Sequence, residues 1–370
     1  MATPTGEGAR RKSKNAEEAA VGIKQIAARL GVSIGTVDRA LHGRPGINAV
    51  TRTRVLEAAE KLGYKPNLAA RILRSQKKLA VSVLLPAEIA SFYDAVRAGI
   101  RSGAAPFQDA VELSFLTYPR LGEGEVGAFE AALDDAHSDG IIVAPGRPAE
   151  LKPWIRLAAA AGTAVICVTT DAQKTARVGA VTSDPWTNGA VAGELLCRFQ
   201  RVSGELAVFT GDLSTTDHKD KVEGFRQSVV RFAPGSSVTA ILETHDSPEE
   251  ARDRARRWLS QTPKPSGFYV ATANSLPVLE VLQDAGRLGE VPIVTTDLFP
   301  AIVPYIRNGS VLATIHQRPE AQGRRAVQEL YRYLVDRAKP PGSIKLTPHI
   351  VMQSNLELFL GSAKDAETES

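Results

Sequence analysis

From Leu79 onward, short apolar segments alternate with longer amphipathic ones, and this alternation restricts the fold more than any other feature of the chain. Nine segments read as strands: Leu79–Leu85, Val111–Thr117, Gly140–Val143, Ala164–Thr169, Val178–Thr182, Leu206–Thr210, Val238–Glu243, Phe268–Ala271 and Pro292–Thr296. Between them, Tyr93–Gly103, Gly124–Ala136, Pro148–Ala161, Thr187–Gln200 and Pro248–Leu259 read as helices. Apolar strands separated by helices call for parallel sheets covered on both faces. So many units exceed one comfortable sheet, and 370 residues exceed what a single hydrophobic core usually serves. The expectation is α/β: two Rossmann-like parallel-sheet lobes over 79–360 with a cleft between them. Lobe 1 is placed at about 79–183 plus 317–339, and lobe 2 at about 184–316 plus 340–360.

Residues 1–78 have a different texture. They hold 16 Lys+Arg against 6 Asp+Glu, a net of +10, while the rest holds 29 against 35, a net of −6. A small basic module ahead of a large acidic one suits a nucleic-acid contact confined to one end. Within the basic module, 1–20 reads as a disordered basic tail, and three short helical patterns follow. Ile23, Ile26, Ala27 and Leu30 recur at i, i+3, i+4, i+7. Gly31-Val32-Ser33 breaks that helix, and Ser33 is a good N-cap for a second one over Ile34–Leu41. After the loop from His42 to Gly46, Asn48 caps a third helix carrying Val55, Ala59 and Leu62. Two short helices joined by a glycine turn, with a third behind, form a helix-turn-helix over 21–66.

In that motif the second helix enters the major groove. Ile34, Gly35, Asp38 and Arg39 are then left for base edges, and Arg39 can fork onto guanine. Thr36, Asn48, Thr51 and Arg52 are placed to hold phosphates, which fix register without reading sequence. Singly, each is also an ordinary surface residue of a three-helix bundle.

The run from Ile23 to Leu73 resembles the lactose- and purine-repressor family. It matches in Ile-Lys-Gln-Ile-Ala-Ala-Arg-Leu-Gly-Val-Ser (23–33), Thr-Val-x-Arg (36–39), Thr-Arg-x-Arg-Val (51–55), Leu-Gly-Tyr-Lys-Pro-Asn (62–67) and Ala-Ala-Arg-x-Leu (69–73). The resemblance implies that 67–78, beginning at Asn67, forms a hinge helix and linker. It also implies that Leu73 wedges into the minor groove at the operator centre, where an apolar wedge kinks the duplex. Asp38 departs from the serine usual in the family; it can accept from cytosine N4 or orient Arg39. Gly35 offers no side chain at a usual reading position.

Residues 79–360 resemble the periplasmic sugar-binding-protein fold that this family uses as its sensor, in its ribose-type form. The resemblance assigns Phe92 and Tyr93 to the faces of a sugar ring, and Asn274, Asp297 and Gln317 to its hydroxyls. Either Lys219 or Lys221 stands where relatives carry arginine, trading a planar fork for a point charge. Asp171 matches a further ligand acid. These residue types supply the aromatic faces and multiply bonding polar groups that sugar recognition needs, at strand ends where open α/β sheets bind ligands. Taken one at a time, Asn274 and Asp297 could equally cap helices, and Phe92 and Tyr93 could be core.

The sequence thus leads to a homodimeric transcription regulator, a repressor, that binds a double-stranded DNA operator under control of a small sugar or polyol. The other readings are a transport-type sugar-binding protein or a sugar-modifying enzyme with an appended DNA-binding domain. No cofactor is expected, and the six histidines show no metal-binding spacing, so no metal is expected either. Gly122-Glu-Gly-Glu-Val-Gly127 fits a dinucleotide pattern, but Glu123 and Glu125 would repel a pyrophosphate. Cys167 and Cys197 sit in apolar surroundings and read as buried thiols of a cytoplasmic protein. No apolar run is long enough to span a bilayer, the opening residues do not form a secretory signal, and 361–370 reads as a disordered tail.

Overall fold

The computed structural model describes residues 23–41, 46–62, 78–134, 138–262, 265–336 and 338–361. Asn67, Leu73 and the expected tails and hinge lie outside these residues, apart from Lys78 and Gly361. The chain divides into two compact units, Met1–Leu68 and Ala69–Ser370.

The first unit contains α1 (Ile23–Leu30), α2 (Ile34–Leu41) and α3 (Ala49–Lys61). Gly31 sits between α1 and α2 at φ +64°, a left-handed turn that a side chain would strain. Ile26, Ala27, Val37, Ala40, Val55, Ala58 and Ala59 form the core, with Leu41 and Leu62 partly buried against it. A core this small leaves little margin, so each of these side chains carries a large share of the unit's stability.

The second unit holds two six-stranded sheets. Lobe 1 orders its strands β11-β5-β4-β3-β1-β2, all parallel: β1 (Leu79–Pro86), β2 (Val111–Tyr118), β3 (Gly140–Val143), β4 (Ala164–Thr169), β5 (Gly179–Ser183) and β11 (Gly342–Leu346). Its helices are α4 (Ala90–Ala104), α5 (Glu125–Asp134), α6 (Pro148–Ala161) and α12 (Pro319–Leu334). Lobe 2 orders β12-β10-β9-β8-β6-β7: β6 (Glu205–Thr210), β7 (Ser237–Glu243), β8 (Gly267–Val270), β9 (Ile293–Thr296), β10 (Ala313–His316) and β12 (His349–Val351). Only β12 runs antiparallel, against β10. Its helices are α7 (Pro185–Phe199), α8 (Thr216–Phe232), α9 (Pro248–Gln261), α10 (Leu276–Asp284) and α11 (Val303–Arg307).

The chain crosses between lobes after β5, after β10 and after β11. The third crossover corrects the expected boundary: residues 340–346 belong to lobe 1, because β11 pairs with β5 from Gly342↔Gly179 to Leu346↔Ser183. Five residues behind Pro340-Pro341 carry too little pattern to say which sheet edge they join.

Within each lobe one helix pair is locked by glycine. A Cβ on Gly99 of α4 would collide with the Glu320 carbonyl of α12, and one on Gly189 of α7 with the Lys221 carbonyl of α8. Backbone contact this close makes each pair move as one body, and in lobe 2 it seats the turn that carries Lys221. Cys167 and Cys197 are both buried free thiols. Among the described residues, no helix is long and apolar enough to cross a membrane.

Candidate functional site

The carboxyl ends of β1, β4, β8, β9 and β10, with the start of α8, converge on a cleft between the lobes. Its cavity volume is about 40 Å³, and the cleft stays partly open to solvent. Among the described residues, six of the seven non-glycine residues at positive φ sit at or just behind strand ends in this region: Ile89, Thr169, His245, Asp246, Asp297 and Arg318. Strained backbone of this kind persists only where the surroundings over-determine it, and it concentrates at binding sites.

Phe92 and Tyr93, on the first turn of α4, both line the cleft, edge to face with centroids 5.0 Å apart. Burial, with Asp217 and Asp246 nearby, raises the Tyr93 phenol well above its ordinary pKa, so it stays protonated. Opposite stands Asp297 behind β9. Its two oxygens accept from the backbone N–H of Gln317 at 2.8 Å and from Gln317 Nε2 at 2.6 Å. Gln317 Oε1 in turn accepts from Asn188 at 3.1 Å, and Asn188 accepts from Ser183 at 3.0 Å. This buried chain ties the first lobe crossover, at Ser183 and Asn188, to the second, at Gln317. Five of the eight side chains expected at the ligand thus line the cleft: Phe92, Tyr93, Lys221, Asp297 and Gln317.

Three do not. Lys219 is exposed on α8, whereas Lys221, two residues on, is buried in the cleft wall with its ammonium 2.6 Å from Asp217. Asp171 pairs with Arg177 and Ser343, tying the β4–β5 loop to β11 instead of facing the ligand space. Asn274 points its amide away, donating to the Asp246 carbonyl at 2.9 Å, and lines a neighbouring groove.

In their place the fold brings in residues that sequence reasoning passed over. Asp246, behind β7, is buried with Oδ2 3.6 Å from His218 Nε2 and Oδ1 accepting from the Thr272 hydroxyl. Gly211 N–H donates to His218 Nδ1 at 3.4 Å, so the ring presents Nε2–H to Asp246. Burial works to raise the Asp246 pKa, but His218 and Thr272, with Lys221 nearby, outweigh it and hold the carboxyl below its ordinary value. Glu88, at the cleft mouth, goes the other way: burial and the charge of Asp246 push it up to about 7. The pairing of Asp217 with Lys221 at i, i+4, with His218 on the same turn, was the one signal that could have marked this face of α8.

In the N-terminal unit, Ser33 Oγ accepts from Thr36 N–H at 3.0 Å, and Asn48 Oδ1 accepts from Thr51 N–H at 2.7 Å. Both are N-caps, worth about 0.5–2 kcal/mol each. Behind the first cap, Ile34 is 50% exposed, and Gly35, Arg39 and Arg52 are exposed; Thr36, Asp38 and Thr51 are half-buried.

Residues 81–338 match the family model described as periplasmic binding protein domain, and residues 22–67 match the one described as bacterial regulatory proteins, lacI family. The chain belongs to the family of periplasmic binding protein domains, with a lacI-family regulatory domain preceding it in sequence. Similar to this chain is the HTH-type transcriptional regulator AglR of Rhizobium meliloti, 36% identical over 126 residues. That match covers 34% of this chain and 35% of AglR, so the chain aligns with about a third of that relative's length. Catabolite control protein A of Priestia megaterium is 27% identical over 276 residues, covering 72% of this chain and 78% of the relative. Among solved structures, GanP, a glucose-galactose binding protein from Geobacillus stearothermophilus, is 25% identical with a TM-score of 0.68. It covers 76% of this chain and 99% of its own. The two family matches therefore fall on the two units of the chain, the regulatory model on the helical one and the binding-protein model on the lobed one.

Proposed function

We propose that this chain is a lacI-family repressor that binds a pseudo-palindromic operator as a homodimer and is controlled by a small sugar or polyol held between its lobes. The observation that carries the reading is the convergence, in one cleft, of aromatic faces from lobe 1 with Lys221, Asp246 and Asp297 from lobe 2 and Gln317 at the crossover. Such a ligand touches both lobes at once. It binds one lobe arrangement better than another and thereby shifts the population. Any change this makes in operator affinity must be mirrored by an equal change in ligand affinity.

On the DNA side, Ile34, Gly35, Asp38 and Arg39 read base edges, while Ser33, Thr36, Asn48, Thr51 and Arg52 hold the backbone. Asn67 and Leu73 belong to a hinge helix that enters the minor groove. The basic excess of residues 1–78 supplies phosphate contacts, so binding weakens steeply with salt. The protein works in the cytoplasm and returns its ligand unchanged, without cofactor or metal. The likeness to GanP supports a hexose-sized ligand.

A thermal-shift screen of monosaccharides and polyols, followed by chromatography of the sugar after overnight incubation, tests the reading. Stabilisation by at least one sugar with no product formed is expected. No stabilisation by any of them, or conversion of the sugar, would overturn it.

A further inference from the structure

We propose that the inter-lobe cleft takes a hydroxyl-rich ligand that carries no phosphate or carboxylate, because its walls are acceptor-rich and already negatively charged. This deepens the sugar reading above and rests on it. Four carboxylates line the cleft, Glu88, Asp217, Asp246 and Asp297, against one lysine, Lys221, and one histidine, His218. No arginine is among the described residues that line it; Arg120 and Arg147 line the adjoining cavity, which shares Glu88, Leu121, His218 and Asp246 with the cleft, and they stand 3.2 Å from Glu123 and 3.5 Å from Glu150.

The single ammonium is not available as an anion clamp, since Lys221 Nζ lies 2.6 Å from Asp217 Oδ2 and both side chains are buried. Nor is the positive end of α8 free to receive an anion: its first turn carries Asp217, which answers the helix dipole from within the chain. Asp246 and Asp297 have capacity left over. Asp246 spends one contact per oxygen, on Thr272 and His218, while Asp297 accepts twice from Gln317 and has His316 Nδ1 3.5 Å from Oδ1. A carboxylate offers about four lone-pair sites, so each can still accept from ligand hydroxyls. A hydroxyl brings the donor such a wall lacks. A phosphate dianion brings only acceptors and a charge of the wrong sign. Burial first, and then the charge of Asp246, push the Glu88 carboxyl up to about 7.

Titration calorimetry on the full-length protein tests this with D-glucose, D-galactose, D-ribose and D-arabinose, set against D-glucose 6-phosphate, D-ribose 5-phosphate and D-gluconate. The best neutral sugar should bind at least about tenfold tighter than any phosphate ester or sugar acid. An ester or acid that binds as tightly or more tightly would overturn the proposal while leaving the sugar reading intact. If no probe of any kind binds, the sugar reading itself falls and this inference with it. Asp246→Asn should narrow the ratio of neutral to phosphorylated affinity by about threefold or more, an effect that general loosening of the cleft would not produce. Asp297→Asn provides the same readout should the first variant fail to fold, as judged by its melting curve. An unchanged ratio in a folded variant of both residues would count against the proposal.

Discussion

In the N-terminal unit the residues offered to DNA lie along one short helix and its flanking caps and face outward, whereas the cleft gathers side chains as distant in sequence as Phe92 and Gln317 and buries them. The helix is held by a handful of small core residues behind it and by the Ser33 cap, and exposed Arg39 lies outside that core. In the cleft the same groups do both jobs: Asp297 is at once a candidate ligand acceptor and the partner that fixes Gln317 at the crossover. The contrast is that reading and stability are separable in the first region and fused in the second. Substitutions can break or sharpen it.

The largest effect should come from Val37→Asp. Val37 is fully buried in the core of the small unit, and an unpaired carboxylate there costs several kcal/mol. Operator affinity measured by fluorescence anisotropy should fall by about a hundredfold or more, while sugar affinity by calorimetry stays within about twofold. A parallel loss of sugar binding would show that the two regions are not independently stable.

Next come two variants that form a mirrored pair. Arg39→Ala should weaken the preferred operator by about 1–3 kcal/mol and relax its sequence preference, with no change in melting temperature. Asp297→Asn should weaken the sugar by about 1–3 kcal/mol and also lower the melting temperature, because the remaining amide cannot accept from Gln317 as well. A melting temperature unchanged in both would dissolve the distinction between separable and fused roles.

The smallest effect concerns pH. Folding raises the Glu88 carboxyl from 4.5 to about 7, so the native state holds this proton more tightly than the unfolded chain does. Its contribution therefore favours folding at low pH and is lost as pH rises through about 7. Between about pH 4.5 and 7 the wild type should lose stability relative to Glu88→Gln in urea unfolding, with the curves flattening above that, and identical pH profiles would contradict the placement of Glu88.

The same contrast explains what could be read from the sequence. The helical unit was legible because its determinants are contiguous: the Ile23–Leu30 periodicity, the Ser33 and Asn48 caps and the Gly31 turn all act within a few residues. The strand–helix alternation likewise announced two parallel sheets, since periodicity is local. Which side chains meet at the cleft is set by topology, and there the reading was partial. Phe92, Tyr93, Asp297 and Gln317 sit at strand ends and were found. Asp246 was not, because Thr244-His-Asp-Ser-Pro reads as a run leading into a helix, and Ser247 does cap α9 there. His218 was weighed only as a metal ligand, and nothing local shows that α8 turns it toward Asp246. Asp171 erred in the other direction, since its partner Arg177 lies only six residues away but Ser343 arrives from the late strand β11. That strand also displaced the third lobe boundary.

The central claim is that the cleft governs what the helical unit does, and one pair of binding curves addresses it most directly. Operator affinity should be measured at fixed moderate salt with and without a saturating sugar identified by the thermal screen. A shift of roughly 5- to 150-fold is expected, with the same factor recovered when sugar affinity is measured with and without operator. Superimposable curves, from a protein that binds both partners, would mean that the two sites share a chain and nothing more.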